Sequence, residues 1–246
     1  MDLKELHICH TARHPWETSR LKALQSILTP ETFEGIKVLD VGCGDGFICG
    51  SLFGHLSRKE ITCVDINLSD EMLAGLGANT QGIRYQREMP ADGGYDLVLL
   101  LDLLEHIASD KDFLADLVDN YLSKNGKVMI TVPAFQSLYG HHDIFLKHYR
   151  RYNLNGLSAL ASSCGLAVIS SGYLFFSLLL PKFILARVLN IKKVSHGIGN
   201  WNGGRWITTI IEKLLDFDNR LLTAAGRYGI KIPGLTGWML CEKRGW

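Results

Sequence analysis

The sequence predicts an α/β fold in which a doubly wound, mostly parallel sheet of seven strands carries helices on both faces. Three observations predict it. Short runs rich in Val, Ile and Leu alternate with segments of helical length between residues 36 and 132. The runs are nearly unbroken, which is how strands read when both faces of a sheet are covered. A helical segment stands between successive runs, and such a crossover joins parallel neighbours.

Taken in order, residues before 36 hold no strand pattern, and a helix over 16–28 makes them a helical arm. Strands follow at 36–41, 60–65, 82–85, 96–101 and 127–132, the third carrying the weakest pattern. A helix over 153–164 ends at Gly165, a residue suited to a left-handed cap, and 166–170 reads as the next strand. The last strand is 238–242. Between these two, Ile207, Ile210, Leu214, Phe217, Leu221 and Ala225 recur at steps of three and four, one face of an amphipathic helix expected to pack on its own sheet. The chain shows no internal repeat, low-complexity tract or Pro-rich linker. One domain is therefore expected, with an arm at 1–35, a core at 36–173, a helical cap insertion at 174–234 and the last strand in 235–246.

With 246 residues, 47% apolar and 21% charged, the chain can bury a sizeable core. Twenty-six Lys and Arg against 25 Asp and Glu leave a formal +1, which argues against a nucleic-acid partner. The six cysteines form no CxxC pair and no Cys/His block at zinc-finger spacing, so neither a metal nor a disulfide framework is expected. The N-terminal residues lack the charge and apolar pattern of a signal peptide, and the expected location is cytoplasmic.

The chemistry is expected where a buried strand runs into Val41-Gly42-Cys43-Gly44-Asp45-Gly46 and then into a helix. Glycines there let backbone turn sharply and approach a ligand closely. The spacing is GxGxG, neither the GxGxxG of a dinucleotide loop nor the Lys-Ser/Thr ending of a P-loop. About twenty residues on, Asp65 ends the second strand, where a carboxylate can accept both hydroxyls of a ribose. Its alternative role is to start the helix that follows Asn67.

Together with Val64-Asp65-Ile66, Tyr95-Asp96-Leu97-Val98, Leu103-Leu104-Glu105-His106-Ile107 and Gly126-Lys127-Val128, the loop Val38-Leu39-Asp40-Val41-Gly42-Cys43-Gly44-Asp45-Gly46 resembles the class I S-adenosylmethionine-dependent methyltransferases, with the elements in that family's order. The resemblance implies a Rossmann-like fold with an antiparallel last strand and S-adenosylmethionine as cofactor. By resemblance Gly42, Cys43, Gly44 and Gly46 would bring backbone to the cofactor's methionine and ribose, and Asp40 would hold its amino group directly or through water. Asp65 would hold the ribose, Ile66 would lie against adenine, and Leu101 and Asp102 would flank the methionine tail. Many relatives place a Gly-Asp-Ala type sequence near adenine, where this chain has Gln86-Arg87-Glu88-Met89-Pro90.

Methyl transfer to a neutral hydroxyl or amine needs a proton acceptor. His141, His142 and Asp143 follow the fifth strand, and Lys147-His148-Tyr149-Arg150-Arg151-Tyr152 follows closely. This block resembles a stretch in a type 11 and 12 subgroup of these enzymes that acts on glycan or lipid-linked substrates. His142 or His148 is the expected catalytic base, and Arg150 and Arg151 either hold an anionic part of the acceptor or pin a surface loop. His106 is expected to shape the cofactor pocket. The arm segment His14-Pro15-Trp16-Glu17-Thr18-Ser19-Arg20 either covers the cofactor or packs on the domain.

Residues 144–211 contain no Asp or Glu but eight Lys and Arg, leaving a net −7 for the rest of the chain. Within that stretch 173–189 is strongly apolar, yet Lys182 and Arg187 interrupt it, too early for a membrane span. The alternatives are a sheet cover, a dimer contact, or peripheral membrane contact through 173–206, with Trp201 and Trp206 at the interface. The expected function is methyl transfer from S-adenosylmethionine to O or N of a small-molecule, glycan or lipid-linked acceptor. Two rivals are a nicotinamide-dependent oxidoreductase, disfavoured by the glycine spacing and by the lack of a Tyr-xxx-Lys pair, and a noncatalytic adaptor built on the same fold.

Overall fold

The computed structural model describes residues 13–29, 35–77, 82–179, 181 and 203–244. In chain order the elements are α1 (Pro15–Leu28), β1 (Lys37–Val41), α2 (Phe47–Phe53), β2 (Glu60–Val64), α3 (Asp70–Gly77), β3 (Ile83–Gln86), β4 (Tyr95–Leu101) and α4 (Asp110–Asn120). Then come β5 (Leu122–Pro133), α5 (His141–Phe145), α6 (Leu154–Ser163), β6 (Leu166–Leu174), α7 (Arg205–Arg227) and β7 (Thr236–Lys243). Short 3-10 turns at Leu104–His106 and Gln136–Leu138 follow β4 and β5.

The strands form one seven-stranded sheet in the order β3-β2-β1-β4-β5-β7-β6. All pairs among β1 to β5 are parallel, and β7 runs antiparallel to both β5 and β6. The strands lie where the apolar runs are, with two extensions. β5 begins at Leu122, before a register shift opposite Tyr95 and Leu97, and its polar start Ser123-Lys124-Asn125 carries no strand signal. β6 continues to Leu174, held by pairing with β7.

Alternation along each strand divides the core. Leu39, Val41, Val98 and Leu100 pack with Leu114 and Leu117 of α4 and Leu157 of α6. Val38, Leu97, Leu99 and Leu101 pack with Leu24 of α1, Leu52 of α2 and Leu215 of α7. Both faces are therefore dry, the physical reason the strands read as unbroken apolar runs. The chain leaves β1 toward β2 and β3, then returns to β4 on the other side of β1. That reversal opens a crevice beyond the C-terminal ends of β1 and β4.

The α7 region corrects one expectation. The helix does cover the sheet, packing on α1 and β6, but the apolar face read from the sequence points away from it. Ile207, Ile210, Leu214, Phe217 and Leu221 are all exposed, and the buried residues are Leu215, Asn219, Leu222, Thr223 and Gly226. Polar pairing and close approach replace apolar bulk at this contact. Asn219 accepts from Phe175 N–H (2.9 Å) and donates to Ser19 Oγ (3.1 Å), all buried. Gly226 lies so close to the Trp238 ring that a Cβ there would stand 2.9 Å from it. Trp201 and the apolar stretch beyond Pro181 lie outside the described residues.

Candidate active site

The crevice beyond β1, β2 and β4 opens into a cavity of about 780 Å³. The glycine turn reaches it through Val41 and Gly42. Gly42, Gly44 and Gly46 have φ of 76°, 59° and 72°, the left-handed region that side chains seldom adopt. A Cβ on Gly42 would lie 3.0 Å from Leu103 Cδ1, and one on Gly46 would lie 2.5 Å from the Tyr85 ring. Gly42 and Cys43 N–H groups donate to Val64 carbonyl (2.8 and 3.1 Å). Arg13 pairs with Asp45 of the turn and lies 3.9 Å over the Phe47 ring.

Asp65 sits where the sequence puts a ribose acceptor, at the end of β2 and on the cavity wall. One carboxylate oxygen accepts from Gly44 N–H (3.0 Å) and the other from Asn67 N–H (2.9 Å). The helix that follows is started by Ser69, whose Oγ accepts from Met72 N–H (3.1 Å), while Asp65 holds the turn before it and braces the glycine turn.

At the end of β4, Asp102 has φ 54°. Its carboxylate pairs with Arg20 (2.8 Å) and accepts from Thr131 Oγ1 (3.1 Å). Arg20 is buried and also donates to Thr131 Oγ1 (3.0 Å). The arm is therefore tied into the site by an ion pair between residues 82 positions apart in sequence. No local pattern announces such a contact.

Gly42, Asp65, Ile66, Leu101, Asp102, His142 and His148 all line the cavity. Asp40, Cys43, Gly44 and Gly46 do not. The glycines and Cys43 shape the turn. Asp40 is 2% exposed and hydrogen-bonded to Cys49. Burial pushes its carboxyl up to about 7, with the Arg20 charge working in the opposite direction.

Two carboxyls missed as site groups line the cavity instead. Glu17 and Glu105 are 3% and 1% exposed, and one oxygen of each has no hydrogen-bond partner. Burial raises the Glu105 carboxyl well above the ordinary range, and the nearby Asp102 charge adds to the rise.

The opposite wall comes from α5 and the turn after it. His148 Nδ1 lies 2.9 Å from Asp143 Oδ1. Asp143 also accepts from Arg151 Nε (2.7 Å) and Gly140 N–H (2.9 Å). These partners outweigh the burial of Asp143 and bring its carboxyl down to about 2. His106 meets His148 edge to face, with centroids 4.6 Å apart.

The two arginines favour the loop-pinning alternative over an anion site. Arg150 pairs with Asp110 (2.7 Å) and donates to Ala108 carbonyl (2.6 Å), while Arg151 is spent on Asp143 and Ala134 carbonyl (3.2 Å). Lys147, exposed on the cavity wall with φ 61°, is a further cation lining the space.

A family whose members carry a methyltransferase domain matches residues 10–171. The chain belongs to the class I S-adenosylmethionine-dependent methyltransferases. Over 110 residues this methyltransferase is 33% identical to the ubiquinone biosynthesis O-methyltransferase of Maricaulis maris, covering 40% of each chain. The enzyme of the same name from Rickettsia prowazekii is 30% identical over 102 residues, 39% of each chain. The methyltransferase thus spans about two fifths of the length of these curated relatives. Among solved structures, an S-adenosylmethionine-dependent methyltransferase from Mesorhizobium loti aligns with a TM-score of 0.58 at 16% identity, over 92% of this chain and 98% of that one. One from Archaeoglobus fulgidus gives 0.52 at 16% identity, over 91% and 93%. These two show the shared fold alone.

S-adenosylmethionine is the methyltransferase's cofactor and, when bound, supplies a methyl group on a positively charged sulfur. The cavity fits such a molecule on three counts. Gly42 brings bare backbone to the wall, the Asp65 carboxylate stands beside it, and one oxygen each of Glu17 and Glu105, without a hydrogen-bond partner, belongs to a side chain lining the same space. Past β3, where the Gly-Asp-Ala type sequence is missing, Arg87, Glu88 and Met89 form the wall together with exposed Ile66.

Proposed function

We propose that this methyltransferase transfers the methyl group to an oxygen, or else a nitrogen, of a small-molecule, glycan or lipid-linked acceptor, with His148 as the base. The observation that carries the reading is the Asp143–His148 pair on the same cavity as the glycine turn and Asp65. A carboxylate on Nδ1 fixes the tautomer whose Nε2 can accept a proton, and stabilises the imidazolium that results. With cofactor bound, His148 would take the acceptor hydroxyl's proton as the acceptor oxygen displaced the methyl group from sulfur, which would leave S-adenosylhomocysteine as the other product. Oxygen is favoured because the curated relatives are named O-methyltransferases, and Lys147 would serve an anionic part of the acceptor. Of the two histidines, the Asp143 contact favours His148 over His142.

The test is transfer of labelled methyl from S-adenosylmethionine to a panel of phenolic, phosphorylated, glycan and isoprenoid acceptors. With the acceptor so found, His148→Ala and Asp143→Asn should each lower kcat about 100-fold or more while S-adenosylhomocysteine affinity stays within about twofold. Full turnover in His148→Ala removes the base from this reading.

A second reading rests on the nearness of Glu105, His106 and His148, whose ligand atoms lie within 4.8 Å of one another. A divalent cation there would act as a Lewis acid on the acceptor oxygen. Turnover lost on chelation and restored by added Mg²⁺, Mn²⁺ or Zn²⁺ selects this reading; turnover unchanged by chelation selects the base.

A further inference from the structure

We propose that the outward apolar face of α7 docks this enzyme on an anionic lipid surface. Trp206, Ile207, Ile210, Leu214, Phe217 and Leu221 are each more than half exposed, Trp206 at 84%. At about 100° per residue they fall in an arc of roughly 100°, a continuous stripe along four turns of helix. Six large apolar side chains in one stripe are a patch, unlike single exposed apolar residues, which need no partner.

Charge selects the occupant. Every acid of α7 is turned back onto the protein. Glu212 accepts from Thr18 Oγ1 (2.9 Å), Asp216 pairs with Lys22 (2.5 Å), and Asp218 accepts from Ser177 N–H and Oγ (both 2.9 Å). Lys213 and Arg220, by contrast, are exposed and flank the Trp206 edge of the apolar arc, about 20° and 40° outside it on the same wheel. The sequence from 144 to 211, which leads into this helix, has eight cations and no acid. An apolar stripe with a cationic border is the pattern of a helix lying in a bilayer interface, apolar side chains among the acyl chains and cations at anionic headgroups. A second copy packed antiparallel about a twofold axis would instead bring like charges together along the same border. No helix among the described residues is long and apolar enough to cross a membrane, so the contact is with the surface.

Orientation adds a third line of support. The contacts Thr18 with Glu212, Lys22 with Asp216 and Ser26 with Arg227 advance together, so α1 and α7 run parallel. The N-terminal end of α7 therefore lies beside the start of α1, where His14, Trp16 and Glu17 line the cavity. A surface bound along α7 lies near the cavity's rim. The docking holds whatever the acceptor is.

The test is cosedimentation of the full chain with phosphatidylcholine vesicles, with and without about one third phosphatidylglycerol. Binding is expected on the anionic vesicles only, and should fall several-fold on raising salt to about 0.5 M. Ile210→Glu with Phe217→Glu should weaken it at least tenfold, and Lys213→Glu with Arg220→Glu several-fold. Both double variants should keep the Tm and S-adenosylhomocysteine affinity of the parent, because these side chains face outward; Ile210→Ser with Phe217→Ser replaces the first if it misfolds. Absence of vesicle binding, undiminished binding after loss of the apolar pair, or a dimer in light scattering that the same pair dissolves each overturns the proposal.

Discussion

Asp40 shows how one buried carboxyl turns into a pH dependence of folding. Its pKa of about 7 in the folded chain lies above the roughly 3.9 of an unfolded Asp. Between those values the folded chain keeps a proton that the unfolded chain has released. This group therefore favours folding fully below about pH 4, and its contribution falls as pH rises toward 7. Asp40→Asn should flatten that decline and stabilise the protein at pH 8 by at most about 4 kcal/mol, the equivalent of a three-unit shift. Denaturant titrations at pH 5 and pH 8 check it, and equal pH slopes in both proteins would show that Asp40 is not the group. The sequence marks Asp65 and the glycine turn because their roles depend on neighbours within one βα unit. It could not reveal that Asp40 faces Cys49 and Cys63, nor that Arg20 finds Asp102, since which side of a strand or helix a residue takes is settled by distant packing. The His148–Asp143 pair was half legible. Its residue types stood in one short block, but only the turn after α5 singles out His148 and commits Arg151 to Asp143.

Strands and helices differ in how openly they announce themselves. Nearly unbroken apolar runs marked the central strands, because burial on both faces leaves little room for a polar residue at alternate positions, whereas edge strand β3, Ile83–Gln86, is half-exposed and read weakly. α7 obeys the opposite logic. Its periodicity gave the helix correctly and its buried face wrongly, because the buried side is built from Asn219, Thr223 and Gly226 and docks by hydrogen bonds and close approach. Gly226 is the tight point, and Gly226→Val would drive a branched side chain into Trp238 and Ser171 carbonyl. Such overpacking should cost about 2–3 kcal/mol, a Tm loss of roughly 5–10 °C for a chain of this size. Differential scanning calorimetry reads it, and an unchanged Tm would mean that α7 does not seat against β6 in this way. Gly172, beside Gly226 against the same ring, shows that the gap for Trp238 is made by both elements.

At the scale of the whole molecule, a near-neutral chain separates its charges: residues 144–211 are purely basic, and the remainder is acidic overall. The vesicle experiment on α7 belongs to this scale, since it asks whether the basic stretch meets an anionic surface while the cavity stays open beside α1. The topology fixes the rest. Reversal of strand order at β1 and β4 puts the glycine turn, Asp65 and Asp102 at one edge of the sheet, and β5 carries α5 and His148 to the same edge. The proposed cofactor and acceptor groups thus share one cavity without sharing elements, so their functions should separate on mutation. Calorimetric titration of ligand-free protein with S-adenosylhomocysteine tests that most directly. Asp65→Ala should bind at least about tenfold more weakly than the parent, the loss of a charged hydrogen-bond acceptor, and His148→Ala should bind within about twofold. Parent-like binding by Asp65→Ala would contradict the account.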